Sequence, residues 1–454
     1  MRSSIADTYY GRVVIIMQSV FTKTYEMPRF APLADDATAR VLVIGGGIAG
    51  ILTARLLADA GVDVLLCEAE RLCSGQTGNT TAKITVAPGF LYADLLRRGG
   101  KEAAKMFYQA QTAALQQYRR MAGRIDCDFE TQPFFAYAAA DHRALGQELA
   151  ALSEIGAKAR FVSRPDLPFE TVGAICLPDQ AQFHPLRFLG GLVKDLRICE
   201  KTPIRSVFKG GAETASGHLI WADHIVIATH FPFLRLHGAF AVKMHQERSY
   251  VLALEQTGFD GGGMWADGLG KGVSMRYFKD QLLLGGAGHR TGVRGGGYEV
   301  LRQLAEQYFP GSHVAARYAA QDCMTLDGVP YIGAFTARDA RLYAITGFGK
   351  WGMCSSMVGA MLIRDMVIER KSPWAEVFAP WRPMAPLPLL KNIGAVLKHY
   401  LRPTAPRCNH LGSALRWNAQ ERSWDCPCHG SRFSESGELI DAPALHDLRS
   451  RKVK

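Results

Sequence analysis

The sequence predicts an α/β domain built on a parallel sheet, interrupted by an antiparallel β-sheet domain (α+β) and followed by a small all-β module. Three observations predict this. A buried strand, a glycine-rich turn and an amphipathic helix follow one another without a gap from Val41 to Ala58. Strand-like runs with glycine turns fill residues 248 to 290. Prolines 373, 380, 383, 386 and 388 then separate this body from a tail that carries closely spaced Cys and His residues.

The bulk properties set the outer bounds. A chain of 454 residues is too long for one core and suits two or three domains. It is 48% hydrophobic and 21% charged, as an ordinary globular protein is. No run of about 18 apolar residues occurs, so no transmembrane helix is expected. The net charge of +11 is not focused in a Lys/Arg block. It argues for an acidic partner, an anionic membrane surface or an anionic cofactor, and against nucleic acid. The ten cysteines are scattered except near the C-terminus. Cys67, Cys127, Cys176 and Cys199 read as small core residues, and a reducing, cytoplasmic compartment is expected. The apolar cluster Val13 to Met17 is too short for a signal-peptide core; Met17 reads as a start, and the residues before it as an extension.

Taken in order, Val41 to Ile44 is a buried strand that runs into Gly45-Gly46-Gly47-Ile48-Ala49-Gly50. The helix after it presents Ile51, Ala54, Leu57 and Ala58 on one face and stops at Gly61. Val62 to Cys67 is the second strand, ending at Glu68, which completes a βαβ unit. Residues 94 to 122 read as one long helix and 129 to 137 as a strand. Ile225 to Thr229 is another buried strand. The runs within 248 to 290 read as antiparallel strands, with turns at Gly261 to Gly263 and at Gly285-Gly286. Leu342 to Thr346 is a strand entering Gly347-Phe348-Gly349, and a helix spans about Ser355 to Glu369. The proline-rich stretch reads as a linker. It carries a short amphipathic helix with Leu390, Ile393, Val396, Leu397, Tyr400 and Leu401 on one side. That helix packs on the body or, in the sharper reading, touches a membrane surface peripherally.

Gly45-x-Gly47-x-x-Gly50 follows a strand, opens a helix and is succeeded by Glu68 at the end of the next strand, a combination specific for a dinucleotide. Gly45 permits the tight turn, Gly47 lets the backbone approach a pyrophosphate, and Gly50 allows close helix–strand packing. Ile48 and Ala49 form the helix N-terminus that faces the phosphates. Glu68 is placed to accept a hydrogen bond from the ribose hydroxyls.

Later segments choose between dinucleotides. Gly75-x-Thr77-Gly78-x-Thr80-Thr81-Ala82-Lys83, Gln182-Phe183-His184-Pro185, Ala228-Thr229, Asp327 to Gly333 and Gly347-Phe348-Gly349-x-Trp351-Gly352 resemble flavin-contacting segments of the D-amino-acid oxidase/glycine oxidase superfamily. The resemblance covers roughly residues 38 to 370. It implies a Rossmann-like FAD-binding domain with an inserted antiparallel substrate domain. The FAD parts are about 38–90, 180–235 and 325–370, and the substrate parts about 91–179 and 236–324. Thr80, Thr81, Ala228, Gly347, Gly349, Trp351 and Gly352 join Gly45, Gly47, Ile48, Ala49, Gly50 and Glu68 as FAD contacts. Asp322-Cys323-Met324 loosely resembles the place where sarcosine oxidases attach FAD through cysteine; a buried structural thiol is the other reading.

The tail reads Cys408-x-His410 and then Cys426-Pro427-Cys428-His429-Gly430. In a Rieske [2Fe–2S] centre two thiolates hold one iron and two imidazoles the other. Two Cys and two His also suit tetrahedral zinc, but zinc fingers pair like with like. Gly412, Pro427 and Gly430 suit tight ligand loops. The tail resembles the Rieske family closely, through His410-Leu411-Gly412 and Cys426-Pro-Cys-His-Gly-Ser431. The resemblance makes Cys408, His410, Cys426 and His429 the metal ligands. Two departures stand out. Ser413 occupies the position of a second disulfide cysteine, so Cys428 has no partner there, and Phe433 occupies the position of a tyrosine. Losing that hydroxyl removes a hydrogen bond near the cluster, so a midpoint well below the top of the Rieske range, roughly −150 to +300 mV, is expected.

The whole order resembles a family of bacterial flavin–Rieske fusion proteins, and the opening Ser19 to Pro28 is similar to that family's N-terminus. The expected domains are a 1–37 extension, a 38–370 FAD-dependent oxidoreductase, a 371–402 linker and a 403–454 Rieske module. What the resemblance implies is oxidation of an amine or amino acid, with electrons leaving FAD through the cluster to an external acceptor protein or quinone. Arg276 is the candidate cation for a substrate carboxylate or else a surface arginine; Lys83 and His184 are candidate flavin or substrate contacts, and His289 and Tyr331 weaker ones. A Rieske oxygenase would need a mononuclear iron site, and the histidines show no such pattern. A non-catalytic electron-transfer or redox-sensing protein is the remaining alternative.

Overall fold

Val41, Leu42, Val43 and Ile44 are all buried because their strand, Ala37–Ile44, lies inside an eight-stranded sheet with neighbours on both edges. In the computed structural model, which describes residues 9–10, 13–14, 18–234, 237–400 and 405–448, this strand pairs in parallel with Val64–Cys67 and with Leu219–Ile227. Asp339–Thr346 joins in parallel beyond Leu219–Ile227. Two helices pack on one another beneath it, Ile48–Asp59 and Gly352–Val367. The second is buried nearly all round, which fits its run of Met, Val, Ala and Ile residues.

A nine-stranded sheet forms the second layer. Its order runs His313–Thr325, Met244–Glu255, Gln281–Arg290, Ser274–Phe278, Met264–Asp267, Glu130–Ala138, Gly173–Gln182 and Lys83–Ile84, with Arg160–Val162 also on Gly173–Gln182. Strands from widely separated parts of the chain therefore meet here, as an inserted domain requires. The long helix is found at Tyr92–Ala122, bent where Gly100 takes φ +75°. Gly285 and Gly286, expected at a turn, instead lie inside Gln281–Arg290, where the ladder to Met244–Glu255 shifts register. Both are paired, opposite Val251 and Tyr250, and the shift follows them at Ala287–Gly288; a Cβ at Gly285 would stand 2.9 Å from Ser274 Oγ.

Two stretches expected to be peripheral are packed in. Val20–Thr24 is a helix capped by Ser19, and its Phe21 is fully buried against His184 and Phe278. The reading of Met17 as a start lies outside the described residues. The proline-rich stretch is tied down by Arg382, which pairs with Asp327 at 2.8 Å and stacks over Tyr331 at 4.1 Å. Its helix, Pro386–Leu397, places Val396 in one core with Cys408, Leu415, Cys426, Cys428, Phe433 and Ala444, so it walls the C-terminal module instead of merely leading to it. Leu401 lies outside the described residues.

The module itself is a four-stranded antiparallel sheet of Arg416–Asn418, Ser423–Asp425, Arg432–Ser434 and Leu439–Asp441. Trp417 and Trp424 face each other across its first ladder, ring centroids 5.2 Å apart. Among the described residues no helix is long and apolar enough to cross a membrane.

Candidate functional site

The nucleotide turn is fixed by backbone contacts that side chains would prevent. Gly45 donates to Cys67 O at 2.8 Å, and a Cβ on it would meet Ala228 O at 2.6 Å. A Cβ on Gly50 would collide with the Gly45 carbonyl. Ala228 donates to Ile44 O at 2.9 Å, so the end of the Leu219–Ile227 strand closes over the turn. Glu68 accepts from Gly46 N–H at 2.6 Å and from Glu70 N–H at 2.8 Å, both oxygens thus bracing the turn. Burial pushes its carboxyl up, against those two donors.

The helices that start at Ile48 and at Gly352 share a second property. Neither has a side-chain cap at its N-cap residue, Gly47 or Trp351, nor an acid in its first turn. Ile48 and Ala49 are buried, with only Thr77 Oγ1 meeting the Ile48 N–H at 3.0 Å. A buried helix N-terminus with no capping side chain at its own N-cap residue is suited to an anionic phosphate, so the residues fit FAD. Gly347 takes φ +78°, and Gly349 donates to Cys323 O at 2.9 Å. Trp351 packs edge-on to Phe134 at 5.5 Å. Cys323 is buried and its thiol meets the His230 carbonyl at 3.4 Å, the environment of a structural thiol.

Thr80, Thr81 and Lys83 lie where the second sheet begins. Thr80 O accepts from Tyr318 Oη at 3.2 Å, and Lys83 Nζ bonds Thr81 Oγ1 at 3.1 Å and Ser274 Oγ at 3.2 Å. Arg276 is on the strand beside them, 1% exposed, so the surface reading fails. Its Nη2 donates to Phe183 O at 3.2 Å, its Nε is buried without a partner, and Phe21 and Phe278 flank it. Neither cation forms an ion pair among the described residues. Burial, then Arg276, holds the Lys83 ammonium down at about 7, and burial lowers Arg276 to about 10.

His184 is placed differently. Its Nδ1 accepts from Arg187 N–H at 3.3 Å, capping Pro185–Leu192, and its Nε2 bonds Thr24 Oγ1 at 3.0 Å. Both nitrogens are occupied structurally, and burial pushes its pKa down to about 4. His289 bonds Tyr250 at 3.1 Å, while Tyr331 packs under Arg382.

The cluster loops have one backbone plan used twice. Cys408 N–H donates to Ser413 O at 2.9 Å and Gly412 N–H to Cys408 O at 2.9 Å; Cys426 N–H donates to Ser431 O at 2.8 Å and Gly430 N–H to Cys426 O at 3.0 Å. Gly412 and Gly430 take φ +81° and +80°, a conformation that favours glycine. The loops exchange serines: Ser413 Oγ lies 3.2 Å from Cys426 Sγ, and Ser431 is bonded to the Cys408 thiol. Hydroxyls therefore reach both sulfurs even though Phe433 brings none. The histidine comes one position later in the second loop, which leaves Cys428 over; its thiol meets Val396 O at 3.7 Å.

The four ligand candidates are gathered into a cysteine pair and a histidine pair. Cys408 and Cys426 are hydrogen-bonded to each other, and the Cys426 thiol is pushed down chiefly by Cys408 and then Cys428. The His410 and His429 rings are 5.1 Å apart, and both residues are buried. His429 Nε2 donates to Ala241 O at 3.0 Å, because a carbonyl only accepts; Nδ1 is left as the lone-pair nitrogen a metal needs. This division into two thiols and two imidazoles fits a two-iron cluster.

The module is seated on the second sheet by a buried charge network that the sequence reading missed. Arg248 chelates Glu421, and Arg432 reaches Glu421 at 3.3 Å, Asp425 at 3.0 Å and Asp441 at 3.1 Å. Gln76, next to the nucleotide segment, donates to Asp441 at 3.2 Å. A signal was present: Gln246 and Arg248 stand at the inward positions of a strand whose other inward residues in that phase are Met244, Tyr250, Leu252 and Leu254. Polar residues in that phase need a buried partner.

A flavin fold joined to a two-thiol, two-imidazole module defines an iron–sulfur flavoprotein. The model for "FAD dependent oxidoreductase" matches residues 40–366, and that for "Rieske [2Fe-2S] domain" matches 391–452. The chain belongs to the FAD-dependent oxidoreductase family, carries a C-terminal Rieske domain, and binds FAD and a [2Fe–2S] cluster. The second match begins inside Pro386–Leu397, in keeping with the packing of Val396. The "Putative Rieske 2Fe-2S iron-sulfur protein YhfW" of Bacillus subtilis is 31% identical over 93% of this chain and 95% of its own length. Cytochrome b6-f complex iron–sulfur subunit 1 of a Nostoc species is 46% identical over only 10% of this chain and 26% of its own length. Glycine oxidase from Geobacillus kaustophilus shares the fold, with TM-score 0.63 and 18% identity over 77% of this chain and 100% of the other. An L-amino acid deaminase from Proteus vulgaris does so with TM-score 0.62 and 18% identity over 79% and 97%.

Proposed function

We propose that this enzyme oxidises the C–N bond of a small amine or amino acid that carries a carboxylate. Its electrons would leave one at a time through the Rieske cluster to an external acceptor. The observation that carries this is the pair of buried cations, Lys83 and Arg276, which share a site and form no ion pair among the described residues. Two buried cationic side chains with no ion pair among the described residues favour an anionic ligand. FAD, when bound, supplies the two-electron acceptor for the carbon bearing the amine. This chain's residues would do the rest: Arg276 and Lys83 orient the carboxylate, Ser274 and Thr81 hold the ammonium of Lys83, and Phe21 and Phe278 exclude water. The family relationship and the amino-acid chemistry named for the fold neighbours support the same substrate class.

Anaerobic titration with amines, N-methyl amino acids and D- and L-amino acids tests the reading. One compound is expected to bleach the flavin, after which a Rieske EPR signal grows. Reduction of both centres by dithionite but by no compound in the panel would favour a non-catalytic electron carrier.

A further inference from the structure

The second cluster loop is held by three donors that do not belong to its own module. Arg290 Nε donates to Pro427 O at 3.2 Å, Gln246 Nε2 to His429 O, and Gln321 Nε2 to Gly430 O at 2.8 Å. They come from three neighbouring strands of the second sheet, Gln281–Arg290, Met244–Glu255 and His313–Thr325. Contact is close at backbone level, since a Cβ on Gly292 would stand 2.6 Å from Pro427 N and one on Gly430 2.6 Å from Gln246 Cδ. The first loop is held differently: Asn409 donates to His446 O at 3.1 Å and Arg407 to Gly412 O at 3.2 Å, all inside the module.

Arg290 is unusual among these donors. It forms no ion pair among the described residues, its Nη2 is buried without a partner, and Cys428 and Cys426 lie near it. Glu247, opposite it on the next strand, also acts on Arg290 but is itself paired with Lys350, and a half-buried guanidinium with no ion pair of its own is a poor device for holding two domains together. Beside a redox centre it has another effect. Adding an electron to the cluster adds a negative charge, and a nearby cation and aligned N–H donors stabilise that state. Net charge, hydrogen bonding and solvent exposure are the quantities that set an iron–sulfur potential.

We propose that Arg290, Gln246 and Gln321 are positioning residues through which the flavin-bearing body raises the reduction potential of the Rieske cluster, with Arg290 the largest contributor. The potential then belongs to the docked two-part protein and not to the module alone. This goes beyond the substrate reading and holds whichever donor reduces the flavin.

The test is a mediated redox titration of the full-length, cofactor-loaded protein, read by the EPR signal of the reduced cluster. At the wild-type midpoint, Arg290→Gln is expected to lower the reduced-to-oxidised ratio about tenfold, and Gln321→Met a few-fold. Arg290→Lys, which keeps the charge, is expected to recover most of the loss. An unchanged midpoint in Arg290→Gln overturns the proposal, as does an equal drop in Arg290→Gln and Arg290→Lys, which would make packing the cause. If Arg290→Gln does not load a cluster, Gln321→Met decides alone: a lowered midpoint supports the proposal and an unchanged one overturns it.

Discussion

The nucleotide turn and the cluster site are both small-loop sites, yet they are completed in opposite ways. The turn at Gly45 to Gly50 is closed from within its own sheet: Glu68 and Cys67 come from its βαβ unit, and Ala228 from the end of Leu219–Ile227. The cluster's ligand loops are made by one short module, but the second loop is finished by the body, through Ala241, Gln246, Arg290 and Gln321. The difference teaches that a site legible in its local spacing is still completed by contacts from distant residues.

The largest effects test whether the two sites are independent. Cys426→Ser is expected to abolish the Rieske EPR signal while the flavin absorbance persists. Gly50→Val, whose side chain has no room beside the Gly45 carbonyl, is expected to abolish FAD binding. Loss of both cofactors from either variant would show that each site needs the other to fold.

The next effect concerns the seat between them. Glu421→Ala leaves Arg248 and Arg432 buried with less compensation and is expected to cost about 3–5 kcal/mol, measured by denaturant unfolding. Burial alone would raise the Glu421 pKa, but Arg248 and Arg432 outweigh it and hold it at about 2, below its usual 4.5. The folded pKa is depressed, so the stabilisation is complete above about pH 4.5 and is lost as pH falls through about 2. The steep part of that acid loss is expected to disappear in Glu421→Ala.

A smaller effect lies at the proposed substrate site. Lys83 loses its proton as pH rises through about 7, so KM for a carboxylate-bearing substrate is expected to rise above that pH. In Lys83→Met the KM is expected to be higher, by roughly tenfold, and flat over the same range. The smallest expected change is in Ser413→Ala, which removes the hydroxyl 3.2 Å from Cys426 Sγ. A modest fall in the cluster midpoint would sharpen the comparison, since this donor lies within the module and those on the second loop do not.

Much of this was readable before any coordinates. The glycine spacing and the C-x-H and C-x-x-H loops are local patterns, and local backbone geometry dictates them: the turn tolerates no Cβ at Gly50, and the ligand loops need positive φ at Gly412 and Gly430. Sequence therefore determined the βαβ opening and the cofactor classes, and it proposed the ligand set. Only the tertiary structure decided that His184 bonds Thr24, that Phe21 seals Arg276, and that the stretch around Arg382 is pinned to Asp327. It alone also brought Arg248 to Glu421 and Arg290 to Pro427. These contacts join residues far apart in the chain, and no local spacing encodes them. Their physical cause is the demand that buried charges and polar groups find partners wherever the fold brings them.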